Sequence, residues 1–110
     1  MAKKKNIYFT NKKFTATEKL DIVHTDLSGP SRIRGFCGER YVMIFVDDFT
    51  RMMWVAFLKE KLEALEKFKI FQNRVENESG FEIINLRFDK GREFTSREFN
   101  IYCEEHGIRR

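Results

Sequence analysis

A chain of 110 residues with 42% apolar and 35% charged residues and a formal net charge of +4 has material for one small domain and excludes two or three separate lobes. Its longest uninterrupted apolar stretches, Met52 to Leu58 and Tyr41 to Val46, run seven and six residues, far short of the roughly 20 that a membrane-spanning helix needs. The positive excess sits in Lys3, Lys4, Lys5, Lys12 and Lys13, ahead of the first acidic residue, so the rest of the chain is close to neutral.

Residues 1–18 are expected to form a basic flexible arm, and 19–110 the folded unit. The arm's lysines can neutralise phosphates and give salt-sensitive, sequence-independent binding to nucleic acid, or simply keep a solvated tail soluble. Met1-Ala2-Lys3-Lys4-Lys5-Asn6 has no apolar core of the secretory kind, which predicts a cytosolic or nuclear setting. Cys37 and Cys103 form no CxxC pair and read as reduced thiols. With His24 and His106 they lack the paired spacing of a zinc site.

The first predicted strand is Leu20 to Thr25, stopped by the turn-forming cluster Asp26-Leu27-Ser28-Gly29-Pro30. Tyr41 to Val46 and Met52 to Leu58, separated by Asp47-Asp48-Phe49-Thr50-Arg51, predict a hairpin of two well-buried strands. From Glu60 the period changes: Leu62, Leu65, Phe68, Phe71 and Val75 place one apolar stripe on a helix that ends near Gly80. Ile83 to Phe88 predicts a fourth strand closed by Asp89-Lys90-Gly91. Thr95 with Glu98 makes a capping box for a second helix, carrying Phe99, Tyr102, Cys103 and His106 inward and stopping at Gly107. The order β-β-β-α-β-α implies a mixed sheet with helices, the fourth strand parallel to the first. A further strand is expected to begin at Arg109 and Arg110, leaving the fold incomplete at its C-terminal side.

Asp26 and Asp89 each fall just past the end of a predicted strand, and those strands are candidate neighbours. Two carboxylates converging there could hold a hard divalent ion against a phosphate, since Mg²⁺ prefers oxygen ligands and retains several waters. Phosphodiester chemistry commonly uses such ions in pairs; the competing interpretation is ordinary turn chemistry. Asp47 and Asp48 are adjacent, point to opposite faces in an extended segment, and read as hairpin residues. Glu93 reads as an exposed carboxylate near a helix N-terminus, His24 as packed or hydrogen-bonded, and Trp54 as core.

Three motifs then carry a resemblance: Leu20-Asp21-Ile22-Val23-His24-Thr25-Asp26-Leu27-Ser28-Gly29-Pro30; Tyr41 through Trp54 with Phe45-Val46-Asp47-Asp48-Phe49-Thr50-Arg51; and Leu86-Arg87-Phe88-Asp89-Lys90-Gly91-Arg92-Glu93-Phe94. In this order they resemble the integrase catalytic core of copia-type retrotransposons, from about Lys19 to Arg110. The resemblance implies a ribonuclease H-like fold, an Asp-Asp-Glu transferase acting in a Gag-Pol polyprotein, and 3′-end processing and strand transfer of element DNA into target DNA. It implies Mg²⁺ or Mn²⁺ as cofactor, with Asp26 and Asp89 as catalytic metal ligands. It implies DNA as partner, self-association, no membrane, and a nuclear or virus-like-particle location. The family's third carboxylate would fall about 35 residues after Asp89, past Arg110, so the 110 residues alone are expected to be inactive. Lys90 and Arg92 stand where the family pattern is neutral and are, with the arm lysines, candidate contacts to the DNA backbone. The alternative is a non-catalytic remnant that binds nucleic acid or serves as an interaction module.

Overall fold

The structure is a computed structural model that describes residues 15–32, 35, 38–88 and 97–110. Strand β1 (Ile22–Ser28) alternates Val23, Thr25 and Leu27 toward one face with Ile22, His24, Asp26 and Ser28 toward the other. It starts two residues later than predicted and runs three residues further. Leu20 cannot extend the strand backward because it adopts φ 65°. Forward, antiparallel pairing with β2 (Tyr41–Asp47) continues to Ser28↔Val42, so ladder bonds outweigh the turn-forming composition after Thr25. Asp26 therefore lies inside β1, and not beyond its end.

β3 (Met53–Leu58) pairs antiparallel with β2, and the hairpin is closed by Arg51 N–H to Asp47 O at 2.7 Å and Asp47 N–H to Met52 O at 3.0 Å. Trp54, Ala56 and Leu58 join the core side, whereas Met53, Val55 and Phe57 are 59%, 49% and 57% exposed. The expectation of a well-buried third strand is thus corrected. A continuous apolar run does not reveal that both helices cover the same sheet face, nor that β3 is an edge in the order β3-β2-β1-β4.

A short 3₁₀ turn at Lys61–Glu63 precedes α1 (Ala64–Ser79). Ala64, Phe68, Phe71 and Val75 are buried and Leu65 is half-buried, but Leu62 is 82% exposed. The tighter three-residue turn rotates Leu62 off the stripe that follows it. Gly80 caps the helix in the left-handed region, φ 80°, donating its N–H to Glu76 O at 2.9 Å. The Glu76 carboxylate accepts the Ile83 N–H at 2.8 Å and so turns the chain into β4 (Asn85–Phe88), which lies parallel to β1 as predicted.

α2 (Arg97–Glu105) buries Phe99 and Cys103. His106, expected inward, is exposed and stacks on the Tyr102 ring at 4.0 Å, because the helix ends before it and its backbone leaves the stripe. Ile108 returns to the core, and Arg109 bridges Asn85 in parallel, with Arg109 N–H to Ile84 O and Leu86 N–H to Arg109 O both 2.8 Å. This is where the sequence predicts a further strand to begin.

The core between sheet and helices is aromatic. Phe45 stacks on Phe71 at 4.1 Å, Trp54 meets Phe71 edge-on at 5.2 Å, and Phe68 packs on Phe99 at 5.4 Å. Phe68 has no exposed surface and joins α1 to α2. Phe68→Ala is expected to lower unfolding stability by about 3–5 kcal/mol, read as a drop in urea midpoint at constant slope; a loss below about 1 kcal/mol would contradict a rigid aromatic centre.

Candidate functional site

Both helices pack on the face of the sheet that carries Val23, Phe45, Met43 and Leu86. The opposite face presents Ile22, His24, Asp26 and Ser28 of β1, flanked by Val42, Ile44 and Val46 of β2 and by Asn85 and Arg87 of β4. Asp26 pairs with Ile44 across the ladder and is half-buried. Among the described residues its carboxylate accepts no hydrogen bond and forms no ion pair. It is a rigidly mounted oxygen donor whose capacity is unused, which suits one ligand position of a hard cation. The described residues contain no group of three or more His, Cys, Asp and Glu side chains able to enclose a metal.

Asp89 lies outside the described residues, as do Lys90, Arg92, Glu93, Thr95, Cys37 and the arm lysines Lys3, Lys4, Lys5, Lys12 and Lys13. Phe88, to which Asp89 is bonded, pairs with Thr25, the residue before Asp26. The expected neighbourhood of the first and fourth strands is therefore present up to the last described pair.

The adjacent aspartates diverge as predicted. Asp47 is fully buried and accepts from Leu20 N–H at 3.0 Å, Thr50 N–H at 3.1 Å and Thr50 Oγ1 at 2.8 Å. Asp48 turns toward β1, where His24 Nε2 lies 2.9 Å from its Oδ1. It also accepts the Ala16 N–H at 3.4 Å and lies 3.8 Å from Arg51. Burial pushes the Asp48 carboxyl up, but the His24 hydrogen bond, the Ala16 N–H and the charges of His24 and Arg51 outweigh it and hold the group below its ordinary value. His24 is thus hydrogen-bonded, as expected. Asp47's grip on Leu20 and Asp48's on His24, across 27 and 24 residues, escaped sequence reasoning. The only local signal was Asp47 followed three residues later by Thr50, a side-chain turn pattern. Cys103 is buried, which pushes its thiol up against a smaller opposing effect of Arg110, the environment of an inert packing thiol.

Residues 14–110 match the profile of the integrase core domain. The chain belongs to that family. Its relatives include Pol polyproteins of transposons: TNT 1-94 of Nicotiana tabacum, 44% identical over 90 residues and 82% of this chain; and RE2 of Arabidopsis thaliana, 35% identical over 106 residues and 96% of this chain. The truncated Ty1-A Gag-Pol polyprotein of Saccharomyces cerevisiae is 27% identical over 83% of this chain. The chain spans only 7% to 8% of the length of these polyproteins. The HTLV-2 integrase catalytic core, solved in complex with magnesium in a trimeric form, superposes with a TM-score of 0.61 at 19% identity, over 86% of this chain and 60% of that one. A chain of the simian T-cell lymphotropic virus intasome in complex with PP2A regulatory subunit B56 gamma gives 0.62 at 17% identity, over 87% of this chain and 32% of that one. These likenesses establish the ribonuclease H-like integrase fold. The copia-type resemblance is borne out by the transposon Pol relatives.

Asp48 links this site to pH. A carboxyl held below its ordinary 3.8 when folded stabilises the fold above that value and loses the contribution as pH falls through its lowered folded value. Asp48→Asn should therefore be less stable than the wild type at neutral pH, with the gap in urea midpoint closing as pH drops below about 4. A gap that stays constant down to pH 2 would show that Asp48 acts by shape alone.

Proposed function

We propose that this integrase core domain serves divalent-metal-dependent DNA chemistry, with Asp26 and Asp89 as the metal-binding carboxylates, in the 3′-end processing and strand transfer of a retrotransposon. One observation supports it most: the unengaged carboxylate of Asp26 stands on the open sheet face, one residue past the pair Thr25↔Phe88 that leads into Asp89. Mg²⁺ or Mn²⁺ bound there would supply Lewis-acid stabilisation of a phosphate and activation of the attacking oxygen. The chain's own part is to hold the ligand. β1 is paired on both sides up to Thr25, so Asp26 extends from the most constrained strand of the sheet. His24 Nε2 is engaged by Asp48, and metal-dependent chemistry of this kind activates its attacking oxygen at the ion, so the reading asks for no histidine base.

The magnesium of the HTLV-2 core supports the choice of ion, and that core's trimeric and dimeric forms support self-association. DNA at element ends and target sites, and a nuclear or virus-like-particle location, follow from the same family reading. The two aspartates are expected to bind metal, and a further carboxylate would complete the ligation of a metal pair.

Mn²⁺ titration by paramagnetic resonance tests the ligand assignment, together with nicking of supercoiled plasmid. Asp26→Asn is expected to weaken Mn²⁺ binding by about tenfold or more, since even outer partners of metal ligands cost that much when lost. Equal Mn²⁺ affinity in wild type, Asp26→Asn and Asp89→Asn would eliminate the metal site. DNA binding that survived this result would leave the non-catalytic nucleic-acid-binding remnant as the better description.

A further inference from the structure

β3 is an edge of the sheet, and among the described residues nothing pairs with its outer side. Met53, Val55 and Phe57 point away from the helices and are exposed, and across the ladder they adjoin Val46, Ile44 and Val42 of β2. Phe49 and Met52, just ahead of the strand, are exposed as well. Strand edges are ordinarily kept from pairing by an inward charge, a proline or a bulge. Met53-Trp54-Val55-Ala56-Phe57-Leu58 contains no charge, no proline and no glycine. An open apolar edge of this kind is a template for one more strand.

The chain's own N-terminal side is delivered to that edge. Residues 1–14 precede the described part. Ala16, near its start, donates its N–H to Asp48 Oδ2 at 3.4 Å, and Asp48 lies 3.8 Å from Arg51, two residues before β3 begins. The preceding residues therefore set out from the turn at the foot of β3. Among them Ile7-Tyr8-Phe9-Thr10 are four uncharged residues of the β-branched and aromatic kinds that strands favour. Residues 11–15 can span about 17 Å when extended, more than the roughly 14 Å that three strand spacings put between β1 and a strand added beyond β3. Traced backward from residue 10 to residue 7, such a strand runs from the Met53 end toward the Phe57 end, which is antiparallel to β3.

We propose that residues 7–10 add to β3 as an antiparallel edge strand, with Ile7 and Phe9 laid beside Met53, Val55 and Phe57. Strand alternation puts Ile7 and Phe9 on one face and the hydroxyl-bearing Tyr8 and Thr10 on the other, so the wholly apolar pair joins the apolar side. Pairing takes up the open backbone groups of β3 and removes the outward side chains from water. The segment is tethered beside its site, which gives it the advantage of an intramolecular partner over any second molecule. The inference goes beyond the metal-dependent DNA reading: the apolar part of the arm becomes part of the sheet, and its lysines are left on either flank of the added strand.

Amide hydrogen exchange of the 110-residue chain, read residue by residue by NMR, tests it. Alternate amides within residues 7–10 should exchange at least about tenfold more slowly than free-peptide rates, as in a paired strand. Ile7→Asp combined with Phe9→Asp should return them to free-peptide rates and raise the binding of an apolar dye such as ANS, while amides of α1 and β1 keep their protection. Both substitutions lie in the arm, so the sheet and helices stay folded. Lys3→Gln, Lys4→Gln and Lys5→Gln together should leave the protection unchanged, because strand pairing does not depend on those charges. Free-peptide exchange across residues 7–10 in the wild type overturns the assignment, as does protection that survives Ile7→Asp with Phe9→Asp or vanishes with the lysines. Protection that rises with protein concentration, alongside a dimer in light scattering, puts a second copy at the β3 edge and overturns it as well.

Discussion

The buried carboxylate of Asp47 is the interaction on which the geometry of the open face depends. It has no exposed surface, yet it satisfies the Leu20 N–H, the Thr50 N–H and the Thr50 hydroxyl together. A buried charge is tolerable only when hydrogen bonds replace its water, so the lead-in to β1 and the β2–β3 turn are obliged to meet there. That meeting holds Leu20 at φ 65° and starts β1 at Ile22, in register with Val23↔Asp47. Because strand side chains alternate, a slip of one residue would send Asp26 into the aromatic core and Thr25 to the open face.

The same alternation divides the sheet into a packing side and a working side. Phe45, Phe68, Phe71 and Phe99 take up the space between sheet and helices, and both helices draw their stripes toward it. The other side keeps the linked polar residues Arg51, Asp48 and His24 next to Asp26, while the outward residues of β3 are apolar and exposed. Polar chemistry and aromatic packing are thus back to back on β1, one residue apart. Packing of Val23 and Leu86 immobilises the backbone that carries His24, Asp26 and Arg87.

Asp48 complements Asp47 on the open side. It ties Ala16, His24 and Arg51 to the same turn, so adjacent carboxylates pin the N-terminal lead-in from both faces of the sheet. His24 is then occupied by a structural bond, which leaves Asp26 as the open-face β1 carboxylate with unused acceptor capacity among the described residues.

Much of this was legible in the residue pattern. The three-and-four spacing of Phe68, Phe71 and Val75 specified the core stripe of α1, the apolar runs specified β2 and β3, and the length of the α1 crossover allowed β4 to lie parallel to β1, as it does. The motifs around Asp26 and Asp89 indicated the integrase core family that the profile match over 14–110 establishes. These features depend on local periodicity and spacing, which a sequence states directly. What only the tertiary structure decided was which strand face is covered and where pairing stops. Leu62 lost its place to a 3₁₀ turn, Met53, Val55 and Phe57 were left exposed by one-sided helix packing, and Asp26 was drawn inside β1 by the ladder with β2. Asp47 and Leu20 are 27 residues apart; a contact of that kind is set by how elements dock, and no local pattern encodes it.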